Sequence, residues 1–295
     1  AILNILEQYD LRRLGHNSPE YIFLVSMAMK AAWADRAQLV GDPAFVEVPL
    51  ADLLSEERAA QWRQRIDGRE KIAIPRWQAQ ESPSTTHLSV VDSRGNVVGL
   101  THSLGSGADV VTQGLGFMYN NCMNCFNPVA GQTNSIEPGK SRLTGMGPTL
   151  VKVDEKPYFS VGAPGGTRIV TGILHAILNV IDHGMSATEA IAAPRFDCQD
   201  DVIVAHARIA PSICEKVRAL GHDINRTLSS YGGIASVHGI LIDPATGELD
   251  ANLRTISNHG AWELMRSITT QRVATTRRRG IKRSIPTRRL ASIQL

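Results

Sequence analysis

Apolar positions fall at helical spacing through the first 84 residues, and from Thr85 the spacing changes to two. Ser18-Pro19-Glu20 predicts an N-cap followed by proline at the first helical position, with Tyr21, Leu24, Val25, Ala28 and Ala32 recurring on one face behind it. Gly41-Asp42-Pro43 stops that helix. A second, more polar helix is expected over residues 51–66, with Leu53, Leu54 and Ala60 on one side. Residues 75–84, rich in Gln, Ser and Pro, read as a loop able to present a cleavable bond just before Thr85.

Beyond that loop, Leu88, Val90 and the turn Asp92-Ser93-Arg94-Gly95-Asn96 lead into Val97–Ser103, which predicts a strand, turn, strand hairpin laying Thr101 and Ser103 alongside the Thr85 end. Gly105-Ser106-Gly107, Gly114-Leu115-Gly116 and Asn120-Asn121 predict loops with positive backbone angles or close backbone approach. A second hairpin is expected over residues 149–161, around Asp154-Glu155-Lys156-Pro157. It runs into Gly162-Ala163-Pro164-Gly165-Gly166-Thr167-Arg168, which opens a helix carrying Ile173, Leu174, Ile177, Leu178 and Ile181 and ending near Gly184. Ser186-x-x-Glu189 predicts a capping box for a further helix that Pro194 ends. Residues 211–220 read as one more helix and residues 235–243 as a strand.

Composition narrows the class. The 295 residues are 43% hydrophobic, ample for a core, and hold no run of eighteen uncharged apolar residues, so no membrane span is expected. The first residues lack the basic and small-residue features of a signal peptide, and the compartment, cytoplasmic or periplasmic, stays open. Ala1 stands where an initiating Met would, which fits a fragment of a longer chain. The four cysteines are too few for a disulfide framework, and Cys122-x-x-Cys125 has no second pair at zinc spacing, so neither a metal nor another cofactor is expected. The net charge of +3 conceals an asymmetry: nine basic and no acidic residues lie within 264–295, leaving residues 1–263 mildly acidic. That tail has no aromatic residue for stacking, so a solvated or disordered segment is preferred over a binder of nucleic acid or anionic surfaces.

Two features carry candidate chemistry. The glycine turn 162–168 between a strand and a helix turns backbone N–H groups outward and can hold an anion, but it lacks the Lys-Ser/Thr ending of a P-loop and the dinucleotide spacing. Thr85 opens a strand after a loop, which suits either an ordinary strand-edge threonine or a nucleophile released by chain cleavage. A Thr hydroxyl needs a base, and a newly freed α-amino group, with an ordinary pKa of about 7.7–8.0, is poised to serve.

Thr85-Thr86-His87-Leu88-Ser89-Val90-Val91-Asp92 is followed by Gly114-x-Gly116 with Asn120-Asn121-x-Met123, then by Pro138-Gly139-Lys140-x-x-Leu143-Thr144-x-Met146-x-Pro148-Thr149. Gly162-x-Pro164-Gly165-Gly166-x-Arg168-Ile169 and Ala193-Pro194-Arg195 complete the series. In order and spacing these motifs resemble the gamma-glutamyltranspeptidase family over roughly residues 14–250, with Gly15-His16-Asn17-Ser18 and Ala34-Asp35-Arg36 similar to the end of its large subunit. The resemblance implies an α+β N-terminal nucleophile hydrolase, a four-layer αββα sandwich with its large subunit incomplete. Residues 1–84 would end the large subunit, 85–260 would form the small catalytic subunit, and 261–295 would be the basic tail. It further implies self-cleavage at Ser84-Thr85, Thr85 as nucleophile, Ser103 as a supporting hydroxyl and Gly165 and Gly166 as oxyanion donors. The product would be an amide hydrolase or acyltransferase acting on a γ-glutamyl or other small amide, with the absent large-subunit segment as partner.

Departures bear on the substrate. Where the family holds an acidic residue two places after Met123, this chain has Cys125, and Thr144 and Gly145 stand in place of two serines. Ser103 replaces the family's usual Thr, and the loop after Leu104 is shorter. The amide-cleaving centre is therefore expected to persist while glutamyl recognition is eroded. The alternatives are a non-catalytic piece of the same fold and, last, a binder acting through the basic tail.

Overall fold

The structure, a computed structural model, describes residues 1–74, 84–228, 233–253 and 293–294. The loop residues 75–83 and nearly all of the basic tail lie outside the described residues. The chain opens with helices α1 (Ile2–Leu6), α2 (Leu11–Leu14), α3 (Pro19–Leu39), α4 (Leu50–Leu53) and α5 (Glu56–Asp67). There follow strands β1 (Thr85–Val91), β2 (Val97–Ser103), β3 (Thr149–Val153) and β4 (Lys156–Gly162), then helices α6 (Ile169–Ile181) and α7 (Ala187–Ala192). Strands β5 (Phe196–Asp197) and β6 (Val202–Ala205), helix α8 (Pro211–Ala219), and strands β7 (Asp223–Arg226), β8 (His238–Ile242), β9 (Leu249–Leu253) and β10 (Ile293–Gln294) complete the order.

Helix α3 starts as the sequence predicts: Ser18 Oγ accepts Tyr21 N at 3.1 Å and Pro19 takes the first helical position. Because it is buried on nearly every side, its two buried charges are paired. Lys30 Nζ meets Asp201 at 3.0 Å, and Asp35 accepts from Arg58 and from Trp62 Nε1 at 2.8 Å. The expected helix over 51–66 is in fact two. Ser55 caps α5 by accepting Arg58 N at 3.0 Å, and the non-helical step there rotates the buried face to Ala59, Trp62 and Ile66, leaving Leu54 and Ala60 exposed.

Two apolar cores meet at α6. Leu174 and Leu178 pack with α3, α5, α8 and the three-stranded sheet β5-β6-β7, while Ile173, Ile177 and Val180 pack with β3, β4, β8 and α7. A helix serving two cores is apolar around most of its circumference, which is why its pattern is so strong. The capping box at Ser186 and Glu189 forms as predicted. The expected strand 235–243 is confined to β8, because Ala235 takes φ 44° and packs against the glycine turn instead.

The larger sheet is antiparallel in order β10-β3-β4-β8-β9, and the β1-β2 hairpin stacks on its β4 and β8 strands, opposite α6 and α7. Among the described residues the layers are helix, sheet, sheet. Alternation along β1 sends Thr85, His87 and Ser89 inward and Leu88 and Val90 outward; Val98 and Leu100 of β2 join the outer face. The hairpin therefore packs its polar face on the larger sheet. Its apolar face lies open, with Leu88, Val90, Val98 and Leu100 between 45% and 58% exposed.

Candidate active site

Antiparallel register pairs Thr85 with Ser103, and their hydroxyl oxygens lie 2.8 Å apart. Ser103 Oγ also accepts Gly105 N at 3.0 Å. The carbonyl of Ser84, at the bond before Thr85, accepts Leu104 N at 3.4 Å. Thus the hairpin end presents a hydroxyl, a second hydroxyl hydrogen-bonded to it, and a backbone donor on the adjacent carbonyl.

His87, 3% exposed, lies between the sheets. Its Nδ1 hydrogen-bonds Thr101 Oγ1 at 2.8 Å and its Nε2 hydrogen-bonds Ser89 Oγ at 3.1 Å, while Ser160 Oγ of β4 donates to Ser89 Oγ at 2.9 Å. His238 Nδ1 of β8 donates to the His87 carbonyl at 3.2 Å. Burial lowers the His87 pKa to about 4, with His238 adding to the effect, so the ring is neutral at ordinary pH. The imidazole lies over Gly162, where a methyl group would fall 2.2 Å from the ring. This contact clamps β1 across the end of β4, whose next residues form the glycine turn.

In that turn Gly165 has φ 143° and Gly166 φ 59°, both glycine conformations, and a methyl group at Gly165 would lie 2.6 Å from Ala235 Cα. Among the described turn and cap hydrogen bonds, Gly165 contributes its carbonyl, to Arg168 N at 3.1 Å, and neither Gly165 nor Gly166 donates its N–H. Gly145 abuts this turn, since a methyl group there would come 2.9 Å from Gly166 O.

The expected substrate residues Cys125, Thr144 and Gly145 share one wall. Asn134 Nδ2 donates to Cys125 O at 2.8 Å, Leu143 N donates to Asn134 Oδ1 at 3.3 Å, and Arg36 Nη2 donates to Thr144 O at 3.4 Å. Arg142 donates to Leu143 O at 3.0 Å and to Cys122 Sγ at 3.3 Å, and its charge acts on the Cys125 thiol. The wall is cationic, at the place where the family pattern has an acidic residue and this chain has Cys125. Cys122 Sγ presses on Gly105, where a methyl group would lie 3.0 Å from it, which joins the wall to Ser103 through the Gly105 N–H.

Sequence reasoning missed Arg142, Leu104 and the inter-sheet role of His87. His87 sits within the motif that begins at Thr85, so its signal was present but unassigned; Arg142 occupies an unmatched position within Pro138–Pro148. Among the described residues no cluster of three His, Cys, Asp or Glu side chains could hold a metal ion.

Stacked sheets with a threonine at the start of a strand in one of them, beside a glycine turn and helix, define the N-terminal nucleophile hydrolase class. A sequence model of the family described as Gamma-glutamyltranspeptidase matches residues 1–261. The chain belongs to the gamma-glutamyltranspeptidase family. It is similar to the acylase ACY 1 proenzyme of Pseudomonas sp. (strain V22), 38% identical over 242 residues that cover 80% of this chain and 43% of that one. It is also similar to the glutathione hydrolase proenzyme of Escherichia coli (strain K12), 33% identical over 267 residues covering 84% and 45%. A solved Helicobacter pylori gamma-glutamyltranspeptidase mutant matches at TM-score 0.52 and 33% identity, over 58% of this chain and 97% of the other. A cephalosporin acylase from Bacillus halodurans shares the fold at TM-score 0.72 and 24% identity, over 86% and 46%. The chain thus spans under half the length of the curated relatives it matches.

Proposed function

We propose that this chain is the catalytic part of a self-cleaving amide hydrolase or acyltransferase, with Thr85 as its nucleophile. The observation that carries the reading is the Thr85 Oγ1 to Ser103 Oγ contact of 2.8 Å beside a Ser84 carbonyl that accepts Leu104 N at 3.4 Å. In the uncut chain, Thr85 Oγ1 attacks the Ser84 carbonyl carbon, its proton passing toward Ser103. The Leu104 N–H steadies the oxyanion, the Thr85 nitrogen takes up that proton by way of Ser103 as the C–N bond breaks to leave an ester, and water hydrolyses that ester. The freed α-amino group of Thr85 then serves as base. In turnover the Thr85 oxygen attacks the substrate amide and the N–H groups of Gly165 and Gly166 receive the oxyanion, a kind of donor worth about 10²–10³ in rate. The substrate's amine leaves with the proton that the α-amino group took from Thr85, and the acyl group passes to water or an amine acceptor.

Cys125, Thr144 and Gly145 are assigned to the acyl-binding wall, and the Arg36 and Arg142 guanidinium groups beside them favour an acyl group with an anionic end over one requiring an acidic partner for its ammonium group. The open apolar face of the hairpin supports a covering segment of large-subunit type as partner. Each of its Leu and Val side chains would contribute about 1.5–3 kcal/mol on full burial. Residues 1–84 and 85–260 are accordingly assigned to the large-subunit end and the catalytic unit.

The test is intact mass on the purified chain, followed by turnover of γ-glutamyl-p-nitroanilide and glutaryl-p-nitroanilide. Cleavage into residues 1–84 and 85–295, abolished by Thr85→Ala, is expected. An unbroken chain that turns over neither amide, even when supplied with a relative's large subunit, would leave the non-catalytic reading in its place.

A further inference from the structure

Cys122-Met123-Asn124-Cys125 has no second cysteine pair for zinc, and the proposed acyl transfer makes no use of paired thiols. The fold nevertheless brings the two together. Cys122 caps the short helical turn Met123–Cys125, and Cys125 N donates to Cys122 O at 3.0 Å. A turn closed this way keeps its end Cα atoms within about 7 Å. Side chains three residues apart on such a tight turn point the same way, and a disulfide spans Cα separations of about 4.4–6.8 Å. Arg142 stands beside the pair: its Nη2 lies 3.3 Å from Cys122 Sγ, and its charge acts on the Cys125 thiol. Cys125 is half-buried beside the exposed Met123, and Cys122 is buried behind it. Cys198 and Cys214 are buried elsewhere, the first donating to Asp200 O and the second within α8.

We propose that Cys122 and Cys125 form a reversible disulfide by exchange with small-molecule disulfides, which makes the 122–125 turn a redox-responsive wall of the site. The Cys125 thiolate, the more accessible, attacks one sulfur of the small disulfide, breaking its S–S bond and releasing one thiolate. The Cys122 thiolate then attacks the Cys125 sulfur and expels the second. The two protein thiols lose two protons and two electrons; the small disulfide gains them as two thiols. Burial holds the Cys125 thiol above its ordinary pKa while Arg142 pulls it down, so the exchange quickens as pH rises. Oxidation takes from Arg142 its Cys122 thiol acceptor and acts on a sulfur packed against Gly105, whose N–H supports Ser103 at 3.0 Å.

The folded chain is incubated with glutathione disulfide, quenched with N-ethylmaleimide and mapped by peptide mass. Cys122 and Cys125 should lose alkylation together and yield a cross-linked peptide lighter by two hydrogens, reversed by dithiothreitol. Cys122→Ser should stop at a glutathione adduct on Cys125. Persistent alkylation of both thiols, or a stable glutathione adduct on Cys125 in the unsubstituted chain, would overturn the proposal. The readout is a covalent mass, so it stands or falls apart from any acyl-transfer activity.

Discussion

Thr85 Oγ1 and Ser103 Oγ face each other at 2.8 Å across the paired ends of β1 and β2, and Gly105 N holds Ser103 Oγ from the other side at 3.0 Å. One hydroxyl is thereby oriented to draw on the other's proton. Ser103→Ala is expected to slow both self-cleavage and amide turnover about 10²-fold, within the range of a positioned proton-transfer group. Ser103→Thr should stay near the original rate. A time course of intact mass, paired with p-nitroaniline release, measures both.

Gly145 gives a less intuitive expectation. Relatives by motif carry serine there, yet here a Cβ would stand 2.9 Å from Gly166 O, which is backbone and cannot swing aside. Gly145→Ser should therefore lower kcat at least about tenfold by displacing the oxyanion turn, with thermal stability little changed. An increase in kcat would contradict the close approach.

Acid should weaken the fold through its buried histidines. Burial lowers His87 and His16 to about 4 and His175 to about 3, from an ordinary 6.5. The unfolded chain then binds protons the native state refuses, so this contribution is complete above about pH 6.5 and is lost as pH falls from there toward 4, and for His175 toward 3. Melting temperature against pH should show that decline. His87→Gln, which keeps polar atoms but no titration, should flatten part of it.

Arg195, fully buried, donates to the carbonyls of Ile191 at 2.7 Å and Ala235 at 2.9 Å, tying the end of α7 to the residue that backs Gly165 and Gly172. Arg195→Leu strands those carbonyls and should cost about 2–5 kcal/mol. Urea unfolding monitored by tryptophan fluorescence would read the shift.

The outer face of the hairpin is expected to drive association. Leu88→Lys with Val98→Lys should convert a concentration-dependent sedimentation profile into a single slower species, with Thr85 and Ser103, on the opposite face, undisturbed. Unchanged association would point to another surface.

Legibility in the sequence followed the locality of the cause. Ser18, Ser186 and the turn 92–96 each satisfy their own neighbours, so the helix starts and the β1-β2 hairpin could be read directly. The Thr85–Ser103 pairing followed from turn length. Which face of that hairpin is buried could not be read, because alternation is symmetric and the usual apolar-inward assignment is reversed by the His87, Ser89 and Ser160 network. Ser55 split a helix that its neighbours' propensities would have carried through. The β5-β6-β7 sheet escaped because its strands are two to four residues long and its β6-β7 pair is parallel and distant in sequence. Arg142 meets Cys122 only through the tertiary approach of two loops.

Gly162 is bare because an imidazole ring needs the space, and that makes His87 a shim setting the gap between two sheets. Only Thr86 separates the shim from Thr85 at the start of β1, while the 92–96 turn closes the far end. The hairpin thus behaves as a lever: a thicker or thinner insert at either residue would swing the Thr85 tip, so any redesign of the nucleophile's strand must treat positions 87 and 162 as one unit.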